Sequence, residues 1–203
     1  MPIFRLVRHR LQSDLTVRSL RAQGAVLGHG VRFIGRPIVE LAPSSMLQVG
    51  ARTRIISVTS RTPLGVNHAV VLRTLLPGAI ISLGDDVGVS GGSICSAVNV
   101  AIGNGTMLGA NVTVVDTDFH PIDGRQRRYA PLPEPIAEDA VVIGSNVFIG
   151  TGAIILSGTH LGDDCVVGAG AVVKGHFEGG VVLAGNPARV IGSVPKRVGF
   201  DES

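Results

Sequence analysis

The sequence predicts an all-β chain, a solenoid of short strands and turns stacked as a parallel β-helix. Ile143, Ile149, Ile155, Leu161, Val167 and Val173 recur every six residues. Val147, Ala153, Thr159, Cys165 and Ala171 recur four residues after each of the first five. Gly144, Gly150, Gly162 and Gly168 directly follow four of those aliphatics. A six-residue period suits neither a 3.6-residue helix nor a simple alternating strand. It suits a strand-plus-turn unit that buries its apolar side only when neighbouring copies stack on it. Composition agrees: 28 glycines serve the corners, and only 3% of residues are aromatic, as a narrow core of small and aliphatic side chains requires.

The chain reads as one domain, 1–203. Residues 1–24 form a short helical or irregular segment. It carries Arg5, Arg8, Arg10, Arg18 and Arg21 against Asp14, with Leu6, Leu11, Leu15 and Leu20 as one loose apolar stripe. The plain expectation is a segment packed on the end of the solenoid. The alternative is a basic surface element lying against an anionic membrane.

The β-helix is expected over 25–192. Val49-Gly50-Ala51-Arg52-Thr53 starts one repeat, and Leu83, Val89 and Cys95 continue at spacing six. The register then slips by one to Ile102, Leu108 and Val114, with Gly103 and Gly109 behind the aliphatics. Asn67–Pro77 reads as a longer turn or irregular coil edge. From Asp116 to Pro135 the repeat stops. Four prolines and many charges there exclude a core strand, so 116–135 protrudes as a loop, a common place for function. Repeats resume near Ile136. The run Ala184–Ile191 closes the fold, and 193–203 is a tail.

Several functional classes are disfavoured. No apolar run reaches 18 residues, and the Arg-rich start lacks the apolar stretch and cleavage site of a secretory signal, so a cytoplasmic protein is expected. Two cysteines make no disulfide framework, and Cys165 takes an inward repeat position. Aromatic residues for stacking on nucleic acid are scarce. His9, His29, His68, His120, His160 and His176 are scattered, and no Cys-x-x-Cys accompanies them, so no metal site is expected. Ser90-Gly91-Gly92-Ser93 is only weakly phosphate-like and reads as a solenoid corner. His160 and His176 read as exposed corner residues.

The best candidate for chemistry is His120, on the protruding loop between Phe119 and Pro121 and among Asp116, Asp118 and Asp123. A carboxylate can fix the tautomer of a histidine and stabilise its imidazolium, which makes a general base. Taken alone, the same residues also suit a loop-ordering role. His68 is either a solvated turn residue or a substrate contact.

Asp118-Phe119-His120-Pro121-Ile122-Asp123, Ile143–Gly150, Gly168–Val173 and Gly185-Asn186-Pro187-Ala188-Arg189-Val190-Ile191 together resemble the hexapeptide-repeat acyltransferases. That family has a left-handed parallel β-helix and includes galactoside and maltose acetyltransferases. The Asp-Phe-His-Pro motif, with Asn67-His68 and Arg73-Thr74 upstream, is most similar to the branch that acetylates capsular, exopolysaccharide or lipopolysaccharide sugars.

The resemblance implies a homotrimer with sites between subunits, acetyl-CoA as co-substrate, and O-acetylation of a saccharide hydroxyl with His120 as the base. It also implies acceptor contacts at Ser90, Asp118 and His68, and CoA contacts at Thr151, Ala169, Lys174 and Arg189. Ser90 stands where galactoside acetyltransferases place an asparagine, and Val98 stands near their acidic sugar contact. Both departures argue against a plain galactoside enzyme. Phe148 replaces a common tryptophan, and a frequent Thr-Lys pair is here Lys174-Gly175. Rival readings are an acetyltransferase for an amino sugar or serine, a catalytically silent trimeric scaffold, and a carbonic-anhydrase-like zinc solenoid. The serine enzymes carry a long helical N-terminal domain, for which about 20 residues are too few. The acceptor is not legible.

Overall fold

A computed structural model describes residues 2–122 and 124–195, with side chains from Leu11 onward. A helix, α1 (Pro2–Ala22), precedes seven coils. The first coil comprises β1 (Val26–Leu27), β2 (Arg32–Ile34) and β3 (Ile38–Glu40). The second comprises β4 (Met46–Val49), β5 (Arg54–Ile56) and β6 (Val71–Thr74). The third comprises β7 (Ile80–Leu83), β8 (Gly88–Ser90) and β9 (Ser93–Ser96), and the fourth β10 (Asn99–Ile102), β11 (Met107–Leu108) and β12 (Thr113–Val115). After a long excursion come β13 (Val141–Ile143), β14 (Phe148–Ile149) and β15 (Ile154–Ile155), then β16 (His160–Leu161), β17 (Val166–Val167) and β18 (Val172–Val173). The last coil has β19 (His176–Phe177) and β20 (Val181–Gly185), closed by β21 (Ala188–Ser193).

Every third strand falls on the same face. The first face orders β1-β4-β7-β10-β13-β16-β19, the third β3-β6-β9-β12-β15-β18, and the second runs from β2 to β20. All pairings are parallel until β21 turns back antiparallel on β20 and ends the second face. The result is a left-handed parallel β-helix, an exception to the right-handed crossover rule.

Because each strand pairs only with the coil before and after, the inward side chains form vertical rows. On the second face Ile55, Val89, Leu108, Ile149, Val167 and Leu183 stack in register, each no more than 2% exposed. Burying such a side chain contributes about 1.5–3 kcal/mol. Phe33 heads this row at the N-terminal end. Inward polar residues are hydrogen-bonded. Thr53 donates to the Gly84 carbonyl at 2.9 Å, Thr106 to that of Gly144 at 2.8 Å, and Cys165 to that of Glu178 at 3.1 Å.

The glycines behind the aliphatics serve close approach. A Cβ on Gly50 would lie 2.3 Å from the Gly84 carbonyl carbon, and one on Gly144 2.6 Å from the Asp163 nitrogen. Two positions later the backbone turns to positive φ, and ordinary residues fill several of those sites: Arg52, Asp86, Asn146 and Asp164. Left-handed geometry is therefore not what reserves the post-aliphatic position for glycine.

Four sequence expectations need correction. The hexad ending at Cys95 is one residue out: Ile94 points inward at 0% exposure, while Cys95 pairs outward between Arg73 and Val115. The two-residue corner Gly91-Gly92 shortens that coil, and burial pushes the Cys95 thiol up. The irregular stretch is not Asn67–Pro77. Val71–Thr74 is a strand, and the excursion spans 57–70, with a short 3₁₀ turn at Thr59–Arg61. After the second excursion strands resume at Val141, and Ile136 is 58% exposed. His160 and His176 are strand residues, paired on the first face with rings stacked at 4.3 Å.

The apolar stripe of α1 holds at Leu20 and fails at two other leucines. Leu11 and Leu15 are 59% and 64% exposed, while Ser13, Val17 and Leu20 face the first coil. Ser13 Oγ accepts from the Phe33 amide at 3.0 Å, and Arg21 donates to the Leu27 carbonyl at 2.8 Å. Those two bonds fix the helix across the end of the solenoid. The side chains of Leu6, Arg5, Arg8, Arg10 and His9 lie outside the described residues, as do 196–203 of the tail. Among the described residues no helix is long and apolar enough to cross a membrane.

Gly144→Ala should lower stability by about 1–3 kcal/mol through overpacking between coils. Thermal melting would show this as a lower midpoint, and an unchanged midpoint would contradict the close-approach explanation.

Candidate active site

The three faces meet at three corners, and candidate residues sort by corner. Between the second and third faces lie Ser90, at the end of β8, His68 on the 57–70 excursion, Thr151 and Ala169. Between the third face and the first lie Asp118 and His120 on the 116–140 excursion, and Lys174 just after β18. Arg189 is on β21. Within one chain the structure therefore groups Ser90, His68, Thr151 and Ala169 along one edge of the third face. It places Asp118, His120 and Lys174 along the other.

The first edge is built from turns that hold one another. Ser90 accepts the Asn111 amide at 2.9 Å through its carbonyl, and Asn111 Oδ1 accepts the Asn67 amide at 2.8 Å. His68 stands beside that junction, exposed, with Nδ1 2.7 Å from the Ala69 carbonyl oxygen. One coil on, Thr151 donates its hydroxyl to the Ala110 carbonyl at 2.7 Å, and its own carbonyl accepts the Gly170 amide at 2.9 Å. Ala169 lies one coil further, exposed, and a Cβ on Gly152 or Gly170 would meet nothing within 4 Å. This edge is a shallow, small-residue bed open to solvent.

On the other edge the chain leaves β12 and folds sharply at once. The His120 amide donates to the Asp118 carbonyl at 2.7 Å, with Phe119 between them at φ +60°. A phenylalanine in the left-handed region costs of order 1–3 kcal/mol and marks a site whose geometry the surroundings impose. The turn leaves Asp118, Phe119 and His120 exposed. Arg127 then braces the segment that follows, donating to the Pro121 carbonyl at 2.9 Å and to that of Ile122. The motif Asp118–Asp123 includes Phe119 but does not announce its positive φ, and Arg127 lies outside it. The Arg127 role leaves no motif, and the positive φ of Phe119 has no compositional signal.

Asp116 does not join a carboxylate group around His120. It is fully buried and accepts from Ser96 Oγ at 2.7 Å and from the amides of Ala97, Val98 and Asn99 at 2.6, 2.9 and 2.8 Å. Its work is to satisfy the turn that begins the fourth coil, directly under the departing excursion. Val98 belongs to that turn. Asp123 lies outside the described residues, and Asp118 makes no hydrogen bond to the His120 ring among them. No group of three or more metal-ligating side chains occurs among the described residues.

Comparison with known proteins bears on this arrangement. The family described as bacterial transferase hexapeptide (six repeats) matches residues 140–175. Those residues carry hexapeptide repeats of the bacterial transferase type. WbbJ of Escherichia coli, named as a lipopolysaccharide biosynthesis O-acetyl transferase, is 33% identical over 102 residues, 48% of this chain and 52% of WbbJ. Galactoside O-acetyltransferase of the same organism is 33% identical over 105 residues, 52% of this chain and 49% of that enzyme. This hexapeptide-repeat chain thus spans about half the length of the curated relatives it matches. Among solved structures, galactoside acetyltransferase in complex with coenzyme A superposes with TM-score 0.52 at 21% identity, covering 97% of this chain and 88% of that one. AntD, an N-acyltransferase from Bacillus cereus in complex with dTDP and 3-hydroxybutyryl-CoA, gives TM-score 0.66 at 15% identity, covering 88% of each. These superpositions establish the fold of the hexapeptide-repeat chain.

Asp116→Ala would leave three amides and a hydroxyl without their acceptor. It should cost about 3 kcal/mol or more, since each unsatisfied buried donor costs about 1–3 kcal/mol. Chemical denaturation measures this. A loss below about 1 kcal/mol would show that the carboxylate is not the anchor of this turn.

Proposed function

We propose that the chain transfers the acetyl group of acetyl-CoA to a hydroxyl of a saccharide, with His120 as general base. The observation that carries this is the presentation of His120. It stands outside the solenoid on an imposed turn, in the segment where the chain resembles sugar O-acetyltransferases. Likeness to WbbJ favours a capsule, exopolysaccharide or lipopolysaccharide precursor as acceptor. Ser90 and Val98, where small-galactoside enzymes use an amide and an acid, favour a polymeric or carrier-linked sugar over a free galactoside.

In this reading His120 takes the proton of the acceptor hydroxyl as its oxygen attacks the thioester carbonyl carbon. The new C–O bond gives a tetrahedral oxyanion. Its collapse breaks the C–S bond, and the CoA thiolate takes the proton from the imidazolium, returning His120 to neutrality. No covalent enzyme intermediate forms. Thr151 and Ala169 fit the pantetheine arm, because the small residues and open glycines of their edge let an extended chain approach the backbone. Exposed Lys174 and Arg189 suit the phosphates. Asp118 and His68 would contact the acceptor.

His120 and the Thr151–Ala169 edge lie on opposite sides of the third face. A six-residue side of a coil spans up to about 20 Å at 3.3 Å per residue, too far for one site. Closed rotational symmetry brings such edges of different copies together, which supports a homotrimer with shared sites. Use of acetyl-CoA makes this a cytoplasmic reaction.

His120→Ala should lower turnover by about 10²- to 10⁴-fold while leaving the fold and CoA binding intact. The assay follows thioester consumption with polymeric, carrier-linked and free sugars, beside sedimentation of the same samples. Near-normal consumption by folded His120→Ala overturns the base assignment, and a fully active monomer overturns the shared site.

A further inference from the structure

We infer that the cleft between α1 and the second face, at the N-terminal end, binds a diphosphate group. The cleft holds about 660 Å³ and is lined by Arg21, Arg32, Arg54 and Arg61, with His29 and Asp14. It lies away from the His120 excursion and does not include Thr151 or Ala169.

The four guanidinium groups come from four elements. Arg21 is on α1, Arg32 on β2, Arg54 on β5, and Arg61 on the 57–70 excursion. Arg32 and Arg54 are direct partners on neighbouring coils, about 4.8 Å apart along the solenoid. Like charges set opposite each other on a sheet are destabilising. Yet among the described residues the ion pairs are Arg52 with Asp85 and Asp86, and Arg73 with Glu40. Neither Arg32, Arg54 nor Arg61 has an acidic partner there. Nearby Arg52 is already committed to Asp86, whose carboxyl it holds below the usual range. Among the described residues a single carboxylate, Asp14, lines the same cleft.

Arg21 spends one donor on the Leu27 carbonyl, which fixes the guanidinium and leaves other N–H groups free. The next position after Arg54 in the row is Gly88, where a Cβ would meet nothing within 4 Å, so the cleft stays open along the solenoid. Half-buried Ile34 and Ile56, partners on neighbouring coils, form its apolar bed with Val17 of α1.

Guanidinium forks match phosphate oxygens in bidentate geometry. A carboxylate brings one negative charge, too few for cations on both walls. A diphosphate brings more than one and spans adjacent coils. Its carrier would be a nucleoside or a polyprenyl chain, and the apolar bed accepts either.

The test is calorimetric titration of the full chain with inorganic pyrophosphate, without acetyl-CoA. Saturable binding is expected, tighter than for inorganic phosphate. The Arg32→Gln/Arg54→Gln variant should bind at least about tenfold more weakly, the loss expected when two charge-assisted contacts are removed. Without ligand it should melt no lower than the wild type, because the like-charge opposition is gone. Arg61→Gln, on the exposed excursion, should also weaken binding, and His120→Ala should bind as the wild type does. Uridine diphosphate in solution and phosphatidylcholine vesicles carrying polyprenyl diphosphate separate the two carriers. A wild-type chain that ignores pyrophosphate, or a double variant that binds it equally, overturns the inference. Since no transfer is measured, either result leaves the transferase reading untouched.

Discussion

The spacing of about 4.8 Å between stacked coils is the constraint from which the other features follow. Each coil has no backbone partners except the coils above and below, so every inward position must repeat and every corner must pass close to the next. That is why glycine follows the aliphatic at Gly50 and Gly144, where a side-chain carbon would sit inside the next coil's backbone. It is also why Thr53, Thr106 and Cys165 can be buried: each reaches a carbonyl one coil away. A body built this way is filled to its axis. Chemistry is pushed outward to corners and excursions.

The two excursions show how such a body makes room for function without losing its ladder. The 116–140 excursion leaves from a corner that Asp116 pins with four accepted hydrogen bonds. The coil beneath is thereby complete, and the loop above is free to adopt the imposed turn that presents His120. The 57–70 excursion leaves from a different corner and is tied to Asn111 through the Asn67 amide. Loop and body are thus separable in energy. Changes to Asp116 act on the ladder, and a change at exposed His120 leaves the ladder intact.

The fold was legible because a solenoid writes its period into the sequence. In the clean coils from Ile143 to Val173 the inward positions were read correctly, and His160, read as a corner, is a strand residue. Errors fell where a corner changed length. The Gly91-Gly92 corner moved the inward position from Cys95 to Ile94, and an excursion beginning at Ser57 hid the strand Val71–Thr74 behind it. Helix α1 misled in part: Leu20 of the expected stripe is buried, but Leu11 and Leu15 are exposed, and Ser13 and Val17 complete the buried side because Ser13 takes the Phe33 amide. Asp116 looked like a partner of His120 from four residues away, and its burial under the next turn has no signature in sequence. Nearness in sequence failed there because the chain reverses direction at Phe119.

The proposed site is completed by two copies, since His120 and the Thr151–Ala169 edge are separated by the third face within each chain. The most direct measurement mixes two inactive variants, His120→Ala and Ala169→Arg, the second blocking the open edge. After subunit exchange, mixed assemblies contain some sites with an intact His120 from one copy and an intact edge from another. Thioester consumption should recover to a fraction of the wild-type rate, and neither variant alone should regain it. No recovery in mixtures shown by mass to have exchanged subunits would contradict the shared site.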